Sequence, residues 1–189
     1  MLQENHDISA FYRGASLKPV FFNTDDTIFI PKDDRMYPGP GRTWEFEAST
    51  MGWQTLNGTN LYVNRDVLSG NAFNRGATVK SAPWLYTDLS ACKKLKVKLK
   101  NSSYANQMKI ALYTRNEGAG FWTIDMDNIN WDEQNWVTIP ISANDTDFAT
   151  YTIELTQFGN INKRLMQLAI KPIFNAFNGL WEIDEISIE

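Results

Sequence analysis

The sequence has few of the side chains that most enzymes use for chemistry. It contains one cysteine, Cys92, and one histidine, His6, among 189 residues. One cysteine cannot form an intramolecular disulfide or a redox pair. A single histidine makes a nucleophile–histidine–acid triad unexpected, and a zinc site needs Cys/His clusters that are missing. Glycine-rich phosphate-binding motifs are also missing. The sequence therefore predicts a protein that is not an enzyme.

Long apolar stretches are lacking too. No run of about 18 apolar residues occurs, so we expect no transmembrane helix. The first residues, MLQENHDISAFYRG, have neither a basic start nor an apolar core, and they do not resemble a signal peptide. We therefore expect either an extracellular module separated from its export signal or a protein that uses none.

Positive charge is in short supply. The chain has 18 Lys and Arg against 22 Asp and Glu, which gives a net charge of −4. Nucleic-acid-binding domains are usually basic, and anionic membrane surfaces attract basic segments. The charge balance predicts neither nucleic acid nor a membrane as a partner.

The chain divides at a segment rich in proline and glycine. Residues 31–41 contain three prolines and two glycines among charged residues. Such a stretch is not a central strand, and it is typical of a linker or extended arm. Two short apolar runs precede it, at 19–22 and 27–30, and they form either a hairpin or an arm that adds to another surface. Residues 1–41 are therefore predicted to be an extended N-terminal arm, and 42–189 a separate domain.

Strand signals dominate the second part. Residues 94–100 alternate lysine with Leu95, Val97 and Leu99, which predicts a strand with one core face and one wet face. We interpret these lysines as a solvated face rather than a nucleic-acid patch. With this strand taken as 93–101, the predicted strands are 43–48, 60–64, 77–81, 93–101, 108–114, 120–125, 136–141, 150–155, 165–170 and 180–188. Without a convincing long helix, this pattern predicts an all-β fold, a two-sheet antiparallel β-sandwich of the jelly-roll type.

The last predicted strand changes phase. Trp181 and Ile183 share one face, whereas Ile186 and Ile188 share the other. A shift of one residue is what a β-bulge produces, here at Asp184 and Glu185. The bulge is expected to redirect a carboxylate.

Several short motifs now fit together. Residues 44–47 (WEFE) with Gly52 and Trp53, and residues 179–188 (GLWEIDEISI), resemble the start and the end of jelly-roll carbohydrate-binding modules with the galactose-binding-like fold. The intervening segments 67–70, 81–84 and 88–90 also fit. The resemblance covers about residues 43–189 and leaves the arm unexplained. It implies a non-catalytic module that binds a polysaccharide or a cell-surface glycan.

The same resemblance implies a structural calcium ion between the first and last strands. Carried over residue by residue, its ligands are Glu47 and Asp184, with Glu45 as a second candidate. Carboxylate oxygens suit this cation. We state Ca²⁺ as an expected cofactor.

A tryptophan-rich stretch is the main candidate for ligand binding. Residues 120–136 combine three of the seven tryptophans with Asp, Asn and Gln. Aromatic faces stack on sugars, and planar polar groups bind vicinal hydroxyls. The predicted ligand-binding residues are Trp84, Tyr86, Tyr104, Tyr113, Trp122, Asp125 and Trp131. Of these, Trp84, Trp122 and Trp131 are expected to be exposed, while Trp44, Trp53 and Trp181 are assigned to the core.

Two alternatives stay open from the sequence. In the modules that the sequence resembles, the ligand lies either on the concave sheet or at the loops of one edge, and the sequence does not choose between these locations. The chain could instead be a bacteriophage virion protein (head decoration, fibre or tail adsorption), whose arm at 1–41 docks on a protein partner or another copy. The expected location is accordingly extracellular or in a virion. A jelly-roll glycosidase is the third choice, because the carboxylates at 125–133 fit a solvated loop better than an acid/base pair.

Overall fold

The computed structural model describes residues 21–22, 28–29, 42–47, 50–83, 85–116, 118 and 125–189. None of the helical segments in these ranges is long and apolar enough to cross a membrane. The strands are β1 (Phe21–Phe22), β2 (Ile28–Phe29), β3 (Thr43–Trp44), β4 (Gln54–Asn57), β5 (Tyr62–Asn64), β6 (Val67–Ala72), β7 (Thr78–Lys80), β8 (Thr87–Asp88), β9 (Lys94–Asn101), β10 (Gln107–Arg115), β11 (Val137–Pro140), β12 (Ala149–Glu154), β13 (Arg164–Lys171) and β14 (Gly179–Ile188). Short 3-10 turns lie at Trp131–Glu133 and Leu155–Phe158.

The strands form two antiparallel sheets. Sheet 1 has the order β11-β10-β13-β7-β4, with β8 also paired to β13. Sheet 2 has the order β12-β9-β14-β6-β5, with β3 paired to β14. The predicted two-sheet antiparallel β-sandwich is thus confirmed. In the described residues β1 and β2 pair with each other, Phe21 opposite Phe29, as the hairpin alternative requires. The division at residue 41 stays a prediction.

The core lies between the sheets and is built by alternation. Leu95, Val97 and Leu99 of β9 are fully buried, as the pattern at 94–100 predicts. Trp44, Trp53 and Trp181 are buried as well, which confirms their assignment to the core. The Trp44 and Trp53 rings meet edge to face, with centroids 6.0 Å apart and an interplanar angle of 88°. Such pairs add to the free energy gained from their buried area.

On the outer face of sheet 2, the positive charges of the β9 lysines are paired with negative charges. Each lysine of β9 forms an ion pair with a carboxylate, and the pairs are Lys94–Glu154 at 3.6 Å, Lys96–Glu189 at 2.7 Å, Lys98–Asp184 at 2.6 Å and Lys100–Glu182 at 3.3 Å. Opposite charges on neighbouring strands stabilise a sheet face modestly. The lysines therefore form a neutralised, solvated face, as we interpreted the alternating pattern.

The predicted bulge in the last strand is confirmed. Ile183 lies opposite Leu99 and Glu185 opposite Lys98, so Asp184 is the extra residue. After it, Ile186 and Ile188 return to the buried side. The bulge thus lets β14 stay in the core over its whole length while its carboxylate reaches Lys98.

Some strand predictions were wrong in extent. The strand predicted at 43–48 ends at Trp44, because Phe46 is buried with φ +57° and the chain turns there. Strands β4, β6 and β8 were not predicted. In β6, Val67, Leu68 and Ser69 are all buried, so alternation is hidden. The segment predicted at 120–125 lies outside the described residues, except for Asp125.

Asp88 fixes β8 against β13 and should make stability pH-dependent. Its Oδ2 lies 3.2 Å from Arg164 Nη1, and its Oδ1 accepts from Ser90 N at 2.9 Å. Hydrogen bonds from Ser90, and then the charges of Lys163 and Arg164, hold the pKa of Asp88 below its usual 3.8. The folded pKa is depressed, so this stabilisation is present above 3.8 and is lost as pH falls through the folded value.

We therefore expect Asp88→Asn to reduce the drop in melting temperature between about pH 7 and about pH 3, because that drop no longer includes the protonation of Asp88. Thermal unfolding across this range measures the effect. Ser90→Ala removes the side-chain hydrogen bond and should change the drop in the same direction, by less. An unchanged pH profile in Asp88→Asn would contradict this assignment.

Candidate ligand-binding groove

The outer face of sheet 1 carries a central pair of small residues. Strand alternation buries Ile110 and Leu112 of β10 in the core, so Ala111 points to the other face. Ala111 lies directly opposite Ala169 of β13. Two alanines side by side leave room above the sheet for a large side chain.

The chain between β10 and β11 fills this room. Trp131 packs on Ala111 and Ala169, and Met126 packs on Met166. At the 3-10 turn Trp131–Glu133, the Asn130 side chain accepts a hydrogen bond from Asp132 N at 3.2 Å. Apolar contacts and a capped turn therefore hold residues 125–136 on the sheet.

A groove with a volume of about 470 Å³ runs beside this segment. Trp131 and Trp136 form its aromatic side, with ring centroids 6.3 Å apart and planes tilted by 54°. Trp136 Nε1 donates to the carbonyl oxygen of Trp131 at 2.8 Å, which fixes the indole. The remaining lining residues are Leu56, Asn57, Gly76, Thr78, Ile129, Asn130, Asp132 and Lys171. Tryptophan with convergent amide, hydroxyl, carboxylate and ammonium groups suits a polyhydroxylated ligand.

Lys171 is the cation of the groove. Its Nζ lies 4.3 Å from the centroid of the Trp136 ring and 5.7 Å from that of Phe174. Burial lowers the pKa of Lys171, Asp132 opposes this, and the charge of Lys109 lowers it further. The ammonium is thus partly desolvated and held by aromatic faces.

Three predicted ligand-binding residues meet on this face. Trp131 was predicted to be exposed, and this is wrong, because its ring is buried on the two alanines with 7% of its surface accessible. It still borders the groove. Tyr113 packs against both apolar clusters of this face, which are Trp131 with Ala111 and Ala169, and Met126 with Met166. Tyr86, at φ +54°, packs against the Met126 cluster, and its ring lies 4.6 Å from the Arg164 guanidinium.

Asp125 organises the start of the covering segment. Its Oδ1 accepts from the backbone N–H of Asp127 at 3.1 Å, and its Oδ2 accepts from Asn128 Nδ2 at 2.7 Å. The Asn128 side chain first, and then the backbone N–H groups, lower the pKa of Asp125. The side chain is exposed, so its predicted ligand contact stays a prediction.

Tyr104 lies elsewhere, at one edge of the sandwich. It is 56% exposed, and its hydroxyl accepts from Phe177 N at 3.1 Å. The Arg75 guanidinium stacks 4.0 Å from the Phe177 ring centroid. This edge cluster matches the second location that the sequence left open. Trp84 and Trp122 lie outside the described residues.

The residues that sequence reasoning missed are Trp136, Lys171, Asn57 and Thr78. Trp136 belongs to the tryptophan-rich stretch and could have been added. The others come from separate strands, and only the pairing of β13 with β7 and of β7 with β4 brings them to one place.

The three predicted calcium ligands lie on β14 and in the segment after β3. Asp184 Oδ2 is engaged by Lys98 Nζ at 2.6 Å. Within the described part of the chain, no three His, Cys, Asp or Glu side chains are grouped to hold a metal ion. Glu45 and Glu47 lie on either side of Phe46, where the chain turns after β3. Strand β3 pairs with β14 through Trp44 and Ile186. Calcium binding by Glu45, Glu47 and Asp184 stays a prediction.

The fold and groove are those of a β-sandwich with a ligand-sized depression on one sheet. No family model matches the sequence, and no curated protein matches it. Similar solved structures include CBM1 of BiXyn10A in its apo form, at TM-score 0.48 and 11% identity over 77% of this chain and 94% of that chain. The K1 cleaved adhesin domain of Lys-gingipain from Porphyromonas gingivalis W83 gives TM-score 0.48 and 14% identity over 78% and 96%.

A variant of the family 29 carbohydrate-binding module CBM29-2, complexed with cellulohexaose, gives TM-score 0.46 and 11% identity over 77% of this chain and 89% of that chain. Two of these three structures are carbohydrate-binding modules by their descriptions. At these TM-scores and identities the similarity assigns neither a class nor a ligand to this chain.

Proposed function

We propose that this protein is a non-catalytic module that binds a polysaccharide or cell-surface glycan in the groove on sheet 1. The observation that carries the proposal is the groove itself, which is lined by half-buried Trp136, by largely buried Trp131, and by amide, hydroxyl and charged groups from three strands and one loop. A sugar ring presents an apolar face and an equatorial ring of hydroxyls, and it needs both kinds of partner. The sequence motifs at 44–53 and 179–188 agree with this class.

The test is a glycan array with the full chain and Trp136→Ala. Trp136 is half-buried and borders the groove, so its loss should weaken binding by about 10-fold or more, as truncating a central aromatic contact commonly does. Trp136→Phe keeps an apolar ring and should retain part of the affinity. Thermal unfolding of each variant separates lost binding from lost structure.

Tyr104→Ala is the matched control, because it removes an exposed aromatic ring at the edge cluster. We expect it to bind as the unmodified protein does. Loss of binding in Tyr104→Ala with retention in Trp136→Ala would move the site to the edge. No binding across neutral and acidic polysaccharides would refute the proposal, and turnover of any of them would refute its non-catalytic part. The virion alternative has no observation of its own among the described residues.

A further inference from the structure

The lysines on the outer faces of the two sheets are held in different ways. Those of β9 on sheet 2 are all ion-paired, at 2.6 to 3.6 Å. On sheet 1, Lys109 and Lys171 lie directly opposite each other on β10 and β13. Within the described part of the chain, neither has a carboxylate at ion-pair distance. Like charges opposite each other destabilise a sheet, and a ligand of opposite charge would offset the repulsion between Lys109 and Lys171.

Aromatic rings hold both ammonium groups in place. Lys109 Nζ lies 3.8 Å from the Phe174 centroid, and Lys171 Nζ lies 4.3 Å from the Trp136 centroid. Cation–π contacts position a cation without neutralising it. Burial lowers the pKa of Lys171, the charge of Asp132 raises it, and the charge of Lys109 lowers it. Sheet 1 thus presents two ammonium groups held by aromatic rings at the groove, with Asp132 as the carboxylate of its lining, in a chain whose net charge is −4.

We infer that the groove selects acidic glycans, with Lys171 receiving a uronate carboxylate and Lys109 supporting it from the neighbouring strand. This inference rests on the proposed function and names its ligand class. A carboxylate partner removes the repulsion between the two lysines, and the sugar ring that carries it packs beside Trp136. Lysine acts as a point charge, and its ammonium attracts a single carboxylate without requiring a bidentate geometry.

Substitutions of Asp132 and Lys171 should change the affinity for acidic glycans in opposite directions. It lines the same groove, and its charge acts on Lys171. A carboxylate there repels an acidic sugar and attracts the ammonium. Asp132→Asn should therefore strengthen binding to acidic glycans, whereas Lys171→Met should weaken it.

The experiment compares alginate, polygalacturonate and glucuronoxylan with the carboxyl-reduced form of each polymer. We expect preference for the acidic forms, which Lys171→Met reduces by about 10-fold, as expected for one lost hydrogen bond to a charged group. Lys98→Met removes an equal charge from the other sheet and should keep the preference. The melting temperature of Lys171→Met should stay equal or rise, because a repelling, desolvated charge is removed.

The outcomes separate this inference from the proposed function. Equal binding to acidic and reduced polymers, or a preference that survives Lys171→Met, overturns the inference and leaves glycan binding intact. Weaker binding of acidic polymers by Asp132→Asn also overturns it. Binding to neither form, nor to any neutral polysaccharide, overturns both. Tighter binding to single-stranded DNA than to polyuronates would assign the lysines to phosphate and overturn the acidic-sugar assignment.

Discussion

Gly70→Ala should destabilise the sandwich by about 3 kcal/mol or more, at the upper end of the cost of overpacking a core. A β-carbon at Gly70 would overlap Trp181 Cζ2 and would lie 2.5 Å from the carbonyl oxygen of Asn60. Neither neighbour can move freely. Trp181 is fully buried with its Nε1 donating to Thr59 Oγ1 at 3.3 Å, and the Asn60 carbonyl is backbone. In a chain of this size, the loss corresponds to roughly 6–12 °C in melting temperature.

Gly76→Ala is the matched control for Gly70→Ala. Its added β-carbon would meet only the ends of the Asn57 and Asn74 side chains, at 3.3 Å. These side chains can shift, so we expect a change of about 1 kcal/mol or less. Differential scanning calorimetry of both variants gives the comparison. Equal effects at the two positions would show that the approach of Trp181 to β6 is not what requires glycine.

A double-mutant cycle locates the strain. Trp181→Phe removes the benzo ring of the indole that the added methyl group would meet. In that background Gly70→Ala should cost clearly less, and the difference is the coupling between the two positions. If the cost is the same with Phe at 181, the Asn60 carbonyl alone determines it.

The fold could be predicted because most strands repeat a simple pattern. In β9 and β10 apolar residues alternate with polar ones, since one face packs on the core and the other faces water. The bulge at Asp184 could also be predicted from alternation, because one extra residue in a strand shifts the pattern of buried side chains by one position. Strand β6 was missed because both of its faces are buried. Burial on both faces removes the contrast on which alternation depends.

The site was predicted less well, because long-range pairing builds it. Trp131 borders the candidate groove, so its role in binding stays a prediction, whereas its exposure was predicted wrongly. The sequence around this tryptophan is polar and does not indicate that its ring packs on Ala111 and Ala169 of the sheet. Lys171 ends a strand like many solvated lysines. Its opposition to Lys109 follows from the register of β10 and β13 and cannot be seen in sequence.

Enlarging one of these alanines should remove ligand binding while the sandwich stays folded. Ala169 is fully buried beneath Trp131 and opposite Ala111. Ala169→Leu fills the space that the indole occupies, so Trp131 must leave the sheet and take the 3-10 turn with it. The groove then loses Trp131, Asn130 and Asp132 from its lining. We expect binding to fall by roughly 100-fold or more, because several contacts are lost together.

The stability change in Ala169→Leu should be moderate, about 1.5–3 kcal/mol, the range for exposing one large apolar side chain. Tryptophan fluorescence should shift to the red as Trp131 enters water, and circular dichroism should keep its β signature. Ala149→Leu, on half-buried Ala149 of β12 at the edge of sheet 2, is the control and should leave both fluorescence and binding unchanged. Ala169→Leu moves the segment that forms one side of the groove and leaves the edge cluster around Tyr104 unchanged. Full binding by Ala169→Leu would therefore mean that the ligand does not use this groove.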